Sequence, residues 1–99
     1  MKTITIITDQ ISDRALAAAL PAAGIASVAI RRGGAARPEA AAIRSYRNPA
    51  RFSPRFRIDV VVEDAAVETV FDAIDLAYGA GVFSDAEAWV EARALAPAA

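Results

Sequence analysis

The sequence predicts one α+β domain of the ferredoxin-like type, spanning residues 1–99, in which two helices cover one face of a four-stranded antiparallel sheet. Segments with strand-like alternation and segments with helix-like spacing follow one another in the order β-α-β-β-α-β. Two right-handed βαβ crossovers interleaved in this order give such a sheet. A chain of 99 residues has room for one domain of this size. We therefore expect the other sheet face to meet solvent, a ligand or another subunit.

The first strand and the first helix are predicted from the opening of the chain. Lys2–Thr8 alternates threonine with isoleucine, which suits a pleated strand. Asp9 and Ser12 are both suitable N-caps for the helix that follows. The apolar face of that helix has spacings of three and four residues and consists of Ile11, Ala15, Leu16, Ala19 and Leu20. Pro21 should end the helix, and Gly24 suits a left-handed turn.

Two further strands are predicted near the middle of the chain. One covers 25–31 and the other covers 55–62, where the alternation is clearest. Arg57 and Asp59 point away from the apolar residues of the latter strand, whereas Val61 interrupts this alternation. We therefore expect a central strand with both faces partly covered.

The second helix and the last strand complete the domain. Asp64 is the predicted N-cap of the helix. Its apolar stripe consists of Val67, Val70, Phe71, Ile74 and Tyr78. Its outer face carries Glu68, Asp72 and Asp75. Gly79 and Gly81 should end the helix, and 86–91 should form a short last strand in which Trp89 covers the core or a subunit interface.

An arginine-rich loop at about 32–54 separates the second and third strands. Residues 31–57 carry eight arginines against Glu39 alone, a net charge of +7, whereas 58–99 carry nine acids against Arg93, a net charge of −8. Segregation of this size creates local fields that the total charge of −1 conceals. A loop of this length is unusual in a compact domain and usually means function or disorder. Its arginines predict an anionic partner, which is a nucleotide, a carboxylate metabolite, an acidic protein surface or the acidic helix of a neighbouring subunit.

The composition argues against several classes of function. The sequence contains neither cysteine nor histidine, which removes thiol nucleophiles, imidazole bases and the usual zinc ligands. No serine has a plausible base beside it, so we expect no enzymatic activity and assign no catalytic or metal-binding residues. The acidic balance and the lack of interleaved aromatic residues argue against nucleic acid. No segment resembles a signal peptide or membrane span, so we expect a cytoplasmic protein without membrane insertion.

Several segments resemble the PII signal-transduction family. The stretch 54–64, PRFRIDVVVED, is similar to the family's third strand, and the helix at 67–78 follows at the corresponding distance. The stretch 81–90, GVFSDAEAWV, resembles its glycine-rich turn and final strand, and MKTITII at 1–7 fits its first strand. The resemblance implies a homotrimer and a flexible T-loop after the second strand that contacts regulated partners. It also implies an adenine-nucleotide pocket in the cleft between subunits.

The candidate effector-binding residues follow from this resemblance and from the chemistry of arginine and glycine. They are Arg31, Arg32, Gly33, Gly34, Arg55, Gly81, Ser84, Asp85 and Arg93. Arginine pairs with phosphate or carboxylate in a bidentate manner, and glycine-rich backbone can approach a phosphate. The chain departs from the family where Ser84 and Ala86 stand in place of glycines. Glu87 stands in place of a phosphate-facing lysine, which opposes anion binding.

We interpret the chain as a PII-like regulatory protein that binds a small anionic effector between subunits, either an adenine nucleotide (ATP, ADP or AMP) or a bicarbonate-type anion. Its loop would engage a transporter or a metabolic enzyme. The alternative is an interaction or assembly subunit of the same fold that has lost nucleotide binding, which Glu87 favours. Simpler interpretations also stay open for Gly33-Gly34 as a hinge, Ser84-Asp85 as a turn and Arg55 as a solvated strand end. Tyr46 is either a modification site or a packed loop residue.

Overall fold

The computed structural model of the chain describes residues 1–33, 44–46, 54–82 and 85–92. Within these ranges it contains five strands and two helices. In chain order they are β1 (Lys2–Thr8), α1 (Asp13–Ala19), β2 (Ile25–Arg32), β3 (Arg44–Tyr46), β4 (Phe56–Val62), α2 (Val67–Gly79) and β5 (Ala86–Ala92).

The four long strands confirm the predicted ferredoxin-like fold. They lie in the order β2-β4-β1-β5, and each neighbouring pair is antiparallel. The short strand β3 adds a fifth member beside β5, with Arg44 opposite Ala88 and Tyr46 opposite Ala86. The sequence instead predicts a loop at 44–46, with at most one or two helical turns over 39–44. A strand of three residues is too short to show an alternation, and its pairing depends on the edge that β5 offers.

The hydrophobic core lies between the sheet and the two helices. Its buried members from the strands are Ile4, Ile6, Ile58, Val60, Val62, Ala86 and Ala88, and those from the helices and the turn before β5 are Leu16, Val70, Phe71, Ile74, Ala77 and Val82. Because both helices pack into one cluster with the same side of the strands, they share one face of the sheet. Each large side chain buried here contributes about 1.5–3 kcal/mol through removal of apolar surface from water.

Helix α1 begins and ends near the predicted residues. Ser12 is its N-cap, and the Ser12 hydroxyl accepts a hydrogen bond from the amide of Ala15 at 3.4 Å. The helix stops at Ala19, two residues before Pro21. Gly24 has a φ of 82°, which confirms the left-handed turn that leads into β2.

Helix α2 presents the predicted stripe to the core, but its predicted cap is wrong. Asp64 lies in a short 3₁₀ turn that runs directly into the helix, and neither the turn nor α2 has a side-chain cap. The carboxylate of Asp64 instead pairs with the N-terminal amine of Met1 at 3.1 Å. A residue inside a continuous helical segment no longer occupies the extended position that an N-cap needs. The helix ends at Gly79, as predicted, and Gly81 follows it with a φ of 80°.

The strand register defines a second sheet face against which neither α1 nor α2 packs, here called the helix-free face. Its residues are Ser27, Ala29 and Arg31 of β2, Arg57, Asp59 and Val61 of β4, Thr3, Thr5 and Ile7 of β1, and Glu87, Trp89 and Glu91 of β5. Its centre is nevertheless buried within a single chain, because Thr5, Ile7 and Trp89 are at most 3% exposed. The face is exposed at its margins, at Ser27, Ala29 and Glu91. Solvent or another molecule therefore meets the margins of this face.

Candidate functional site

Four chain segments converge at the end of the sheet where β1 and β2 finish and β4 and β5 begin, here called the loop end. The register aligns Arg32 with Phe56, Phe56 with Thr8, and Thr8 with Ala86. These residues form one row across four strands. The segments that carry most of the predicted effector-binding residues therefore reach the same end of the molecule.

Backbone hydrogen bonds tie these segments together. The amide of Gly33 donates to the carbonyl of Arg55 at 2.7 Å, and the amide of Arg55 donates to the carbonyl of Thr8 at 2.9 Å. The amide of Asp9 donates to the carbonyl of Asp85 at 3.2 Å. The positions of the two predicted site residues Gly33 and Arg55 are thus fixed relative to each other by the sheet itself.

The buried hydroxyl of Thr8 adds a side-chain link between the ends of β1 and β5. Its single proton is shared between the carbonyl of Asp85 at 3.0 Å and that of Gln10 at 3.1 Å. The amide of Ser12 donates to the carbonyl of Val82 at 2.9 Å, which fixes the turn that contains Gly81. The sequence alone does not single out Thr8, because its role depends on the pairing of the end of β1 with the start of β5.

The predicted site residues divide into three groups in the structure. Arg32, Gly33, Arg55 and Asp85 lie at the loop end, with Gly81 in the adjoining turn. Arg31 lies on the helix-free face and points away from the side that Arg32 occupies, because successive strand residues face opposite ways. Gly34, Ser84 and Arg93 lie outside the described residues.

The charges at the loop end are partly compensated. The guanidinium of Arg55 lies 3.4 Å from a carboxylate oxygen of Asp9, and 73% of the Arg55 side chain is exposed. An exposed pair of this kind contributes about 0–1 kcal/mol and yields readily to a better anion. Arg32 is exposed and makes no ion pair within the part of the chain that the structure describes. Among the described residues, the loop end therefore offers Arg32 as an uncompensated cation and Arg55 as a loosely paired one.

Gly33 gives the loop end an open approach to the backbone. Its φ is 107°, a conformation that side-chain-bearing residues rarely adopt. Apart from its chain neighbours, no atom of the described residues lies within 4 Å of the position that a Cβ would take. A ligand can therefore come close to the main chain directly after Arg32.

A second polar cluster, which we did not predict, occupies the helix-free face. The carboxylate of Asp59 accepts hydrogen bonds from Thr5 Oγ1 at 3.0 Å, from Arg57 Nε at 3.0 and 3.1 Å, and from Arg31. Burial of the carboxylate favours its neutral form and raises its pKa. The hydrogen bonds from Arg31, Arg57 and Thr5, with the charge of Arg57, outweigh that effect and hold the pKa of Asp59 below its ordinary value.

The sequence contains only part of the signal for this cluster. Arg57 and Asp59 are two residues apart on one strand, and we expected them on the same face. Thr5 and Arg31 join them only through the pairing of β4 with β1 and β2, in which Asp59 stands opposite Thr5 and Arg57 stands opposite Arg31. A single sequence does not determine which residues stand opposite each other on neighbouring strands, because this register depends on which strands become neighbours.

Glu87, the residue that departs from the family pattern, lies on the helix-free face and is 5% exposed. It stands opposite Ile7 in the pairing of β5 with β1. Its side chain is therefore on the face opposite that of Arg32 within one chain.

An apolar groove of about 310 Å³ lies between α1 and the edge strand β2. It is lined by Asp13, Leu16, Ala17, Leu20, Pro21, Ala22, Ile25, Val28 and Ile30. None of the predicted site residues borders it. Among the residues that the structure describes, no group of acidic side chains is arranged to hold a metal ion.

No helix in the described ranges is long and apolar enough to cross a membrane. Comparison with known proteins gives no match to a family model, to a curated protein or to a solved structure.

Proposed function

We propose that the chain is a PII-like regulatory subunit that binds a small anionic effector at the loop end and contacts a partner protein through the arginine-rich segment between β2 and β4. The partner is a transporter or a metabolic enzyme, and the subunit acts as a homotrimer in the cytoplasm. The observation that carries this proposal is the convergence of Arg32, Gly33, Arg55 and Asp85 at one end of the sheet from separate segments of the chain.

The position of the arginine-rich segment supports a link between effector and partner. It begins directly after Arg32 and Gly33 at the end of β2, includes β3, and ends at Arg55 before β4. The hydrogen bond between Gly33 and Arg55 holds both of its ends together at 2.7 Å. An anion bound by these residues would therefore act on the base of the segment, and ordering of a loop by arginine–anion pairing is a known type of switch.

The width of the loop end favours a nucleotide over a bicarbonate-type anion. Arg32 and the start of β5 are separated by three interstrand spacings, which is about 14 Å. A bicarbonate ion reaches one of these positions alone. An adenine nucleotide is long enough to place its phosphates near Arg32 or Arg55 while its base or ribose lies near Asp85.

Calorimetric titration at low ionic strength tests the proposal, because exposed charges are strongly screened by salt. We expect ATP, ADP, AMP or cyclic AMP to give saturable heat and to raise the melting temperature. Arg32→Gln and Arg55→Gln should each weaken binding about tenfold or more, since a hydrogen bond to a charged group contributes about 1.5–3 kcal/mol.

Lys2→Gln is the matched control for these variants. It removes the same charge from the opposite end of the sheet, where Lys2 pairs with Val62 and Ala92. The affinity of Lys2→Gln for nucleotide should equal that of the unchanged chain. Absence of heat and of a melting shift with every nucleotide and with bicarbonate would contradict the proposal.

A second candidate function is an assembly or interaction subunit that binds no effector. The pairing of Arg55 with Asp9 and of Arg31 with Asp59 favours it, because the chain's own carboxylates already occupy two of the predicted anion-binding arginines. This function predicts silent titrations together with a constant affinity for the partner in the presence and absence of nucleotide.

A further inference from the structure

Arg31 and Arg57 form a close cationic pair on the helix-free face. They stand directly opposite each other in the pairing of β2 with β4. Cross-strand neighbours have Cβ atoms about 4.5–5.5 Å apart, and like charges in this arrangement destabilise the sheet. Asp59, two residues beyond Arg57 on the same strand, relieves this repulsion by accepting hydrogen bonds from both guanidiniums.

Asp59 is saturated by these contacts, whereas the arginines are not. Its Oδ1 accepts from Thr5 and Arg57, and its Oδ2 accepts from Arg31 and Arg57. A carboxylate has about four acceptor positions, so none remains. Each guanidinium uses one nitrogen in these bonds, Nε of Arg57 and one terminal nitrogen of Arg31, and neither has another partner within the described ranges.

The two arginines of the cluster are more exposed than the carboxylate between them. Two cations face one anion, which leaves a local charge of +1. The Arg31 side chain is 62% exposed and that of Arg57 is 37% exposed, while that of Asp59 is 12% exposed. A ligand that arrives from solvent therefore meets the guanidiniums before the carboxylate. Glu87 lies in the same row as Arg57, and its Cα is two interstrand spacings from that of Arg57, about 10 Å.

We propose that Arg31 and Arg57, braced by Asp59, form a binding site for a small oxyanion on the helix-free face. The ligand presents carboxylate or phosphate oxygens, because paired planar guanidiniums bind both in a bidentate manner. The site goes beyond the effector site at the loop end, since Arg31 and Arg32 occupy opposite faces of the sheet. It adds Arg57, Asp59 and Thr5, none of which belongs to the predicted effector site.

Nuclear magnetic resonance of the unchanged protein tests this site without any substitution. The arginine Nε–Hε signals are followed during titration with malonate and, separately, with inorganic phosphate, with chloride at matched ionic strength as the reference. We expect saturable shifts of the Arg31 and Arg57 signals and no saturable shift of the Arg14 signal. Saturation with malonate alone identifies a carboxylate site, and saturation with phosphate alone identifies a phosphate site. Equal shifts with chloride, or no saturation with either oxyanion, would overturn the proposal.

Substitutions at the site give a second, directional test. Arg31→Gln and Arg57→Gln should each weaken oxyanion binding at least tenfold, whereas Arg14→Gln on α1 should not change it. Asp59→Asn keeps an oxygen that can accept from the arginines but raises the local charge from +1 to +2, so it should strengthen binding severalfold. Unchanged or weaker binding in a folded Asp59→Asn variant would contradict the assigned roles. The two proposals fail separately, since the loss of nucleotide heat in Arg32→Gln reports on the loop end and the Arg57 signal reports on the helix-free face.

Discussion

At the scale of the residue, Asp59 joins three strands of the sheet. Its carboxylate accepts hydrogen bonds from Thr5 of β1, Arg31 of β2 and Arg57 of β4. Because these partners favour the ionised form, the pKa of Asp59 in the folded chain lies below its ordinary value of 3.8. Folding therefore gains stability from the ionised carboxylate.

Asp59→Asn should lower the free energy of unfolding at neutral pH by about 1–3 kcal/mol, because hydrogen bonds to a charged group are lost. A lowered pKa stabilises the fold fully above the unfolded value and progressively less as the pH falls through the folded value. The difference between the two proteins should hence be constant from pH 7 to about pH 5 and shrink below about pH 4. Urea unfolding at these pH values measures it.

Asp72→Asn is the control for this experiment, since Asp72 is an exposed acid on the outer face of α2. It should change the stability by less than about 0.5 kcal/mol. A difference between Asp59→Asn and the unchanged chain that does not shrink as the pH falls below about 4 would show that the effect is one of packing and not of charge.

Two independent features require glycine at position 24: its backbone conformation and the close approach of Ala66. The φ of Gly24 is 82°, and a Cβ there would overlap the Cβ of Ala66. Gly24→Ala should cost about 1–3 kcal/mol for the backbone conformation and a further ~1–3 kcal/mol for the overlap. Gly81→Ala has nearly the same φ of 80° but open space around it, so it should cost the first amount only. Equal losses in thermal unfolding would refute the contact with Ala66.

At the scale of the element, α2 holds its place through one apolar stripe. Ile74 is fully buried in this stripe, whereas Leu76, two residues along the same helix, is 76% exposed. Ile74→Ala should therefore lower the free energy of unfolding by about 2–5 kcal/mol. Leu76→Ala should change it by less than about 0.5 kcal/mol. Similar losses in chemical unfolding would mean that α2 packs with a different face.

The strands and helices differ in how far the sequence could predict them. The stripe of α2 and the alternation of β4 are local patterns, and both were predicted with the correct faces. β3 has three residues and no period of its own, so only the edge of β5 determines it. The cap of α2 was wrong because Asp64 is chemically suited to capping, and only the geometry shows that a 3₁₀ turn precedes the helix.

The same division explains the candidate sites. Arg32, Gly33, Arg55 and Asp85 flank strands that were predicted correctly, so their meeting at the loop end follows from the topology. The cluster around Asp59 needs one particular pairing of residues on β1, β2 and β4. A shift of register by one residue would move all its members to the other face. Local pattern could not supply that pairing.

At the scale of the whole molecule, the proposed function requires a homotrimer. Cyclic assembly places the same site in each cleft between copies. Light scattering on the eluting protein should give a mass three times that of the 10.4 kDa chain. A mass of one chain over a wide range of concentrations would contradict the trimer. The effector would then have to bind to the loop end of a single chain.

The central claim is that an effector binds at the loop end, and backbone resonances of the unchanged protein during a nucleotide titration test it most directly. We predict saturable shifts at Arg32, Gly33, Arg55 and Asp85. Residues at the other end of the sheet, such as Lys2 and Val62, should stay in place. Saturable shifts confined to that opposite end, or none anywhere, would contradict the claim.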